Sequence, residues 1–98
     1  MSQNYVYEKL SSSVRVLAIS PGKIQERLRS AWSVFGRLTP EDFPPDRRHE
    51  FEKVIATLRK VPPESLSDED ACRLARAICD LDFEATESWY ASIPRSLR

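Results

Sequence analysis

Four places in the sequence combine residue types and spacings that could support chemistry. Pro21-Gly22-Lys23 has the beginning of a phosphate-binding loop, but lacks the second glycine and the following Ser or Thr, and the chain holds only two glycines. Backbone amides cannot be wrapped around a phosphate with so few. His49 is the sole histidine and lies in Arg47-Arg48-His49-Glu50, a charged helix start that reads as solvated rather than as part of a nucleophile–histidine–acid triad. Asp80-Leu81-Asp82-Phe83-Glu84 alternates acids without the glycine and later ligands of a calcium loop. Cys72 and Cys79 are seven residues apart. On a helix that is two turns, about 10 Å, on one face, too far for a disulfide, whose α-carbons lie within about 7 Å. With Leu74, Ala75 and Ile78 as neighbours, both cysteines are expected to be small buried core residues. No Cys or His stands at zinc-finger spacing.

The acids Asp68, Glu69, Asp70, Asp80, Asp82, Glu84 and Glu87 spread over a polar face. A catalytic pair needs a pocket that raises one of the two pKa values, and a small helical bundle has little room for one. The expectation is no catalytic residue, no cofactor and no metal, hence no enzyme.

The elements that would position these residues are marked by seven prolines, at 21, 40, 44, 45, 62, 63 and 94, with proline-free stretches of helical length between them. Residues 4–19 carry Val6, Leu10, Val14, Leu17 and Ala18 at helical spacing, although Ser11-Ser12-Ser13 is a poor helix-forming run. From Pro21 to about Arg37, Ile24, Leu28, Ala31, Trp32 and Phe35 form the clearest amphipathic stripe. Ser20 is expected to cap this helix, with Pro21 at its first position and Gly36 near its end. A capping box would want Glu or Gln at position 23. Lys23 stands there instead, and Glu26 one turn on can offset its charge without any bound anion. Thr39-Pro40-Glu41-Asp42 predicts a single turn. Asp46 to Val61 places Phe51, Val54, Ile55 and Leu58 on one face, and residues 61–66 read as a linker. Ser67-Asp68-Glu69-Asp70 opens the last helix with the acids that its dipole favours, and Ala71, Leu74, Ala75, Ile78 and Cys79 form its apolar side. After Asp82 the phase changes: Phe83, Thr86, Tyr90, Ile93 and Leu97 keep a helical step, and continuation, a fifth helix or a docked tail all fit the pattern.

Nothing alternates with period two. The fold class expected is all-α, a bundle of four main helices in one domain over residues 1–98, joined by short connections that make neighbours antiparallel. Each stripe alone is too short for a stable isolated helix, so the stripes must face one another.

Ninety-eight residues, 41% hydrophobic and 31% charged with zero formal net charge, describe a soluble chain without a global field for nucleic acid or an acidic membrane. The start, MSQNYVYEKL, lacks the pattern of a signal peptide. The longest near-apolar run, Val14 to Ile19, is far short of the roughly 20 residues that span a bilayer. A cytoplasmic location without membrane contact is expected. Charge is polarised along the chain. Residues 1–62 hold eleven bases and seven acids; residues 63–90 hold eight acids against Arg73 and Arg76.

Two surfaces follow. One is aromatic and acidic: Tyr5 and Tyr7, about 200° apart on a helix, so that at least one faces outward, with Glu84, Glu87, Trp89 and Tyr90. Aromatics of this kind anchor protein interfaces, although Trp89 and Tyr90 could equally pin the C-terminal segment to the bundle. The other is basic: Lys23, Arg27, Arg29, Arg37, Arg47 and Arg48. The function expected is a non-enzymatic interaction or regulatory module that binds a protein partner, including a second copy of itself as a C2 dimer. The alternative is a nucleic-acid-associated regulator using the six bases, although such domains usually show a clearer basic excess.

Overall fold

A computed structural model describes residues 3–43 and 45–97, the side chains of residues 3, 4, 88, 89 and 92 excepted. Four α-helices carry it: α1 (Gln3–Ile19), α2 (Ile24–Phe35), α3 (Pro45–Lys60) and α4 (Asp68–Ser92). Short 3-10 turns lie at Pro40–Asp42, Pro63–Ser65 and Arg95–Leu97, and no strand occurs among the described residues. The fold is an all-α bundle.

The stripes meet as their spacing requires. Val6, Leu10 and Leu17 of α1, Leu28, Ala31 and Phe35 of α2, Phe51, Val54, Ile55 and Leu58 of α3, and Ala71, Ile78 and Leu81 of α4 are buried in one cluster. Leu38 and Phe43 reach into it from the α2–α3 connection. Phe43 stacks on Phe51 at 4.4 Å between ring centroids. Trp32 meets Phe35 edge-on at 5.3 Å. Offset and edge-to-face geometries suit the ring quadrupole and add to area burial.

α1 and α2 form an antiparallel hairpin. Arg27 Nη1 donates to the Leu17 carbonyl at 3.0 Å. Ser13, fully buried, donates to the Lys9 carbonyl at 2.8 Å and lies 3.5 Å from the carbonyl of Ala31. The serine run is thus tolerated by use: Ser13 provides a small contact where two backbones approach, and Ser11 donates to Asp82 of α4 at 3.0 Å. α4 starts beside the α2 N-terminus, where Gln25 Nε2 donates to Asp68 at 2.8 Å and to the Leu66 carbonyl at 3.0 Å. It then runs back antiparallel along α1. Arg29 bonds Glu64 in the turn before it.

The expected cap at Ser20 is not the one used. α1 extends through Ile19, and its last turn claims Ser20, whose amide donates to the Val16 carbonyl at 3.0 Å. Gly22, at φ +100°, then reverses the chain, a conformation that a residue with a Cβ rarely takes. α2 starts three residues late, with Lys23 at the N-cap making no side-chain cap bond. By contrast Ser67 caps α4 as expected, accepting from the Asp70 amide at 3.1 Å. The single turn at Pro40–Asp42 is closed by a reciprocal Thr39–Asp42 capping box. Pro45 stands at the first position of α3, where no amide donor is needed.

The cysteines contradict their expected placement: Cys72 and Cys79 are both exposed. Each stands one residue, or 100° of rotation, past a fully buried neighbour, Ala71 and Ile78. The inward line of α4 passes through Ala71, Ile78 and Leu81, and that phase leaves both thiols outside.

Candidate functional site

α4 is continuous through Ser92, so the segment after Asp82 extends the same helix before Pro94 stops it. Twenty-five residues at 1.5 Å each make it about 37 Å long, in a molecule whose longest extent is 46 Å. Its inner side is in the core. A second line of residues runs along it at alternating steps of four and three: Cys72, Arg76, Cys79, Phe83, Thr86, Tyr90 and Ile93. At 100° per residue this line lies about a third of a turn from the buried one. Phe83 is 63% exposed and Tyr90 51%; beyond the helix Leu97 is 74% exposed. Cys72, Arg76 and Cys79 are exposed, and Thr86 and Ile93 are half-buried. Steps of four and three are the period at which one helix packs along another. One flank of this line carries Glu69, Arg73, Asp80 and Glu87, with Arg76 in the line itself.

On the neighbouring side α3 leans on α4 less extensively than α1 does. The cleft between them has a volume of about 410 Å³ and is lined by apolar Val54, Leu74, Ala77, Leu81 and Phe83 and by charged Glu50, Lys53, Arg73, Asp80 and Glu84. Glu84 pairs with Arg47 Nη1 at 3.3 Å. Its other oxygen, Oε2, is buried without a hydrogen-bond partner. Burial and the adjacent Glu50 hold its carboxyl above the ordinary range, and Arg47 only partly offsets them. A raised carboxyl is one component of acid–base catalysis. The cleft, however, is open to solvent, whereas a general acid works where water is excluded and a second group is poised opposite. Burial, with Asp82 and Asp80 nearby, also raises the Cys79 thiol, which keeps it protonated and weakly nucleophilic. His49 is exposed on α3. Among the described residues no group of three or more His, Cys, Asp or Glu could hold a metal ion, and no helix is long and apolar enough to cross a membrane.

Of the residues expected at a protein contact, Glu84, Glu87 and Tyr90 share the C-terminal half of α4. Trp89 belongs to the same helix, and its side chain lies outside the described residues. Tyr5 and Tyr7 are each half-buried on α1. Tyr5 packs on the core with the Lys9 ammonium 5.7 Å from its ring centroid; Tyr7 borders a shallow cleft with Ser11 and Arg15. The antiparallel run and the Ser11–Asp82 bond put both tyrosines at the same end of the molecule as the last turns of α4. Comparisons with protein-family models, curated proteins and solved structures return no match.

The six bases are mostly engaged within the fold. Arg27 bonds the Leu17 carbonyl. Arg29 forks onto Glu64, with Nη2 at 2.6 Å from Oε2. Arg47 pairs with Glu84 and Asp46, and Arg48 Nε donates to the Pro40 and Phe43 carbonyls at 3.0 and 3.1 Å. Lys23 and Arg37 are exposed but flank opposite ends of α2. Only Arg29 and Arg47 have their charge countered by a carboxylate; Arg27 and Arg48 keep theirs but are turned toward main-chain carbonyls. The sequence reading missed Cys72, Arg76 and Cys79 as surface residues. The signal was present: the steps that join Phe83, Thr86 and Tyr90 extend backward to them.

Proposed function

We propose that the protein is a non-enzymatic interaction module whose contact surface is the outer line of α4 centred on Phe83 and Tyr90. The observation that carries this reading is the exposure of Phe83, a large apolar side chain left 63% open on a helix whose inner side is fully packed. Single exposed apolar residues are ordinary. Two exposed aromatics, Phe83 and Tyr90, two turns apart on one helix face have the composition of a docking anchor. Glu84 and Glu87 border that face and would tune approach and salt dependence more than affinity.

The test is site-specific photocrosslinking in the source cell. A benzoylphenylalanine in place of Phe83 or Tyr90 is expected to give discrete protein adducts, and the same group at Lys60, exposed at the end of α3, is expected to give none. Absence of adducts at both aromatic positions, or equal labelling at Lys60, overturns the reading. Titration with duplex and single-stranded DNA at low salt is expected to show no binding; tight, salt-sensitive binding would replace this reading with the nucleic-acid one.

A further inference from the structure

We propose that Glu50 of α3 and Glu84 of α4 form a proton-operated latch across the α3–α4 cleft, closed when the two carboxyls share one proton and loosened when both are ionised. Both residues line the cleft, one from each helix. Arg47 Nη1 meets Glu84 Oε1 at 3.3 Å, whereas Oε2 is buried and receives no donor. Glu50 lies within hydrogen-bonding reach of Glu84, but an ionised carboxylate has no proton to donate. A buried acceptor thus faces a second acceptor of like charge. A single proton removes both faults: Glu84 becomes a donor, and the pair makes a charge-assisted O–H···O⁻ bond between the helices.

The charges around Glu84 set the direction of the response. Burial and Glu50 favour its neutral form, Arg47 favours the ionised one and only partly offsets them, and Asp80, one turn back on α4, adds to the repulsion. Farther along the cleft are Lys53 and Arg73, the latter held by Glu69 and Asp70 at 3.1 Å each. On the α1 side Ser11 bonds Asp82 rather than Glu84, and Lys9 lies over the Tyr5 ring. Glu50 and Arg47 both belong to α3. Withdrawing the start of that helix therefore removes them and part of the burial together, while Asp80 stays. The net effect returns Glu84 toward the ordinary carboxylate range. The closed form thus holds the proton more tightly than the open one. Closure is fully favoured below the ordinary range and weakens as pH rises through the raised value of Glu84. The movement is confined, because Phe51, Val54, Ile55 and Leu58 keep the rest of α3 in the core.

Amide hydrogen exchange on the full chain, corrected for the intrinsic pH dependence of the rate, reads such local opening. The amides of residues 49–51 belong to the early bonded turn of α3. Their protection, relative to that of residues 10–17 in α1, is expected to fall about threefold to tenfold between about pH 4.5 and about pH 7.5. A helix start with Asp46 in its first turn and no latch would do the reverse, since ionised acids there strengthen it. Glu84→Gln or Glu50→Gln supplies a permanent donor and is expected to abolish the fall. Glu52→Gln, at an exposed acid on the same helix, is expected to leave it intact. Protection that is level or rises with pH in the unaltered chain overturns the proposal. So does a fall that survives in both Glu84→Gln and Glu50→Gln, or one that Glu52→Gln removes as well.

Discussion

The two sides of α4 are built from similar residues at similar spacing, yet one is sealed and the other open. Ala71, Ile78 and Leu81 lie inside against α1, α2 and α3, whereas Cys72, Cys79, Phe83 and Tyr90, displaced by little more than one residue step, face outward. Hydrophobicity alone does not decide which residues are covered. The contest is settled by convergence: three other stripes close over the first line, whereas the second stays largely exposed. Burial on α4 thus follows the direction from which the other stripes arrive, not the hydrophobicity of each residue.

The sharpest way to break this comparison is to truncate each side. Ile78→Ala, at a position with no exposure, is expected to cost about 2–5 kcal/mol, the range for large-to-small changes in packed cores. Phe83→Ala removes a larger side chain and is expected to change monomer stability by no more than about 0.5 kcal/mol. Denaturant melts at low protein concentration check both, and comparable losses would show that the outer line is packed after all. Next in size is the start of the helix: Ser67→Ala removes the acceptor for the Asp70 amide and is expected to cost about 1 kcal/mol, without changing which side is open.

Smaller effects come from two carboxylates, Glu84 within α4 and Glu64 in the turn before it. Glu84 has a carboxyl raised by burial and Glu50, so the native state retains a proton that the unfolded chain gives up. Its contribution favours folding least at neutral pH, falling away as pH rises from the ordinary carboxylate range through the raised value. Glu84→Gln is expected to flatten that part of the stability–pH curve and to leave the protein no less stable at pH 7. Glu64 is the opposite case. The Arg29 hydrogen bonds hold it down to about 2, so its contribution is present above the ordinary carboxylate range and is lost as pH falls through that lower value. Carbon-13 NMR titration should find that midpoint, and Arg29→Ala should raise it, leaving only the smaller lowering by the backbone hydrogen bond.

Much of the fold was legible because each stripe carries its own phase. Phe51, Val54, Ile55 and Leu58 announced α3 within a residue at either end, and Ser67 announced α4. Two kinds of information were missing. At Ser20 the cap residue suited two helices at once, the end of α1 and the start of α2, and only the length of α1 decided between them. In α4 the small residues Ala71 and Cys72, and again Ile78 and Cys79, are adjacent and equally apolar, so the sequence left the rotation ambiguous by 100°. Leu81 was obscured by Asp80 and Asp82 on either side, although it is buried. The site suffered from the same ambiguity. Phe83 and Tyr90 were visible as a stripe, but an apolar stripe defaults to the interior until the interior is known to be full.

The contact of Ser13 with the Ala31 carbonyl has a consequence for how this sequence can drift. Both positions are wholly enclosed, and the Ser13 hydroxyl is already satisfied by its own helix, so what the crossing demands of its occupants is smallness. A library randomised at the two sites should be sorted by volume alone: Gly, Ala, Ser and Cys would survive with little regard to polarity, and even Val would push the hairpin apart.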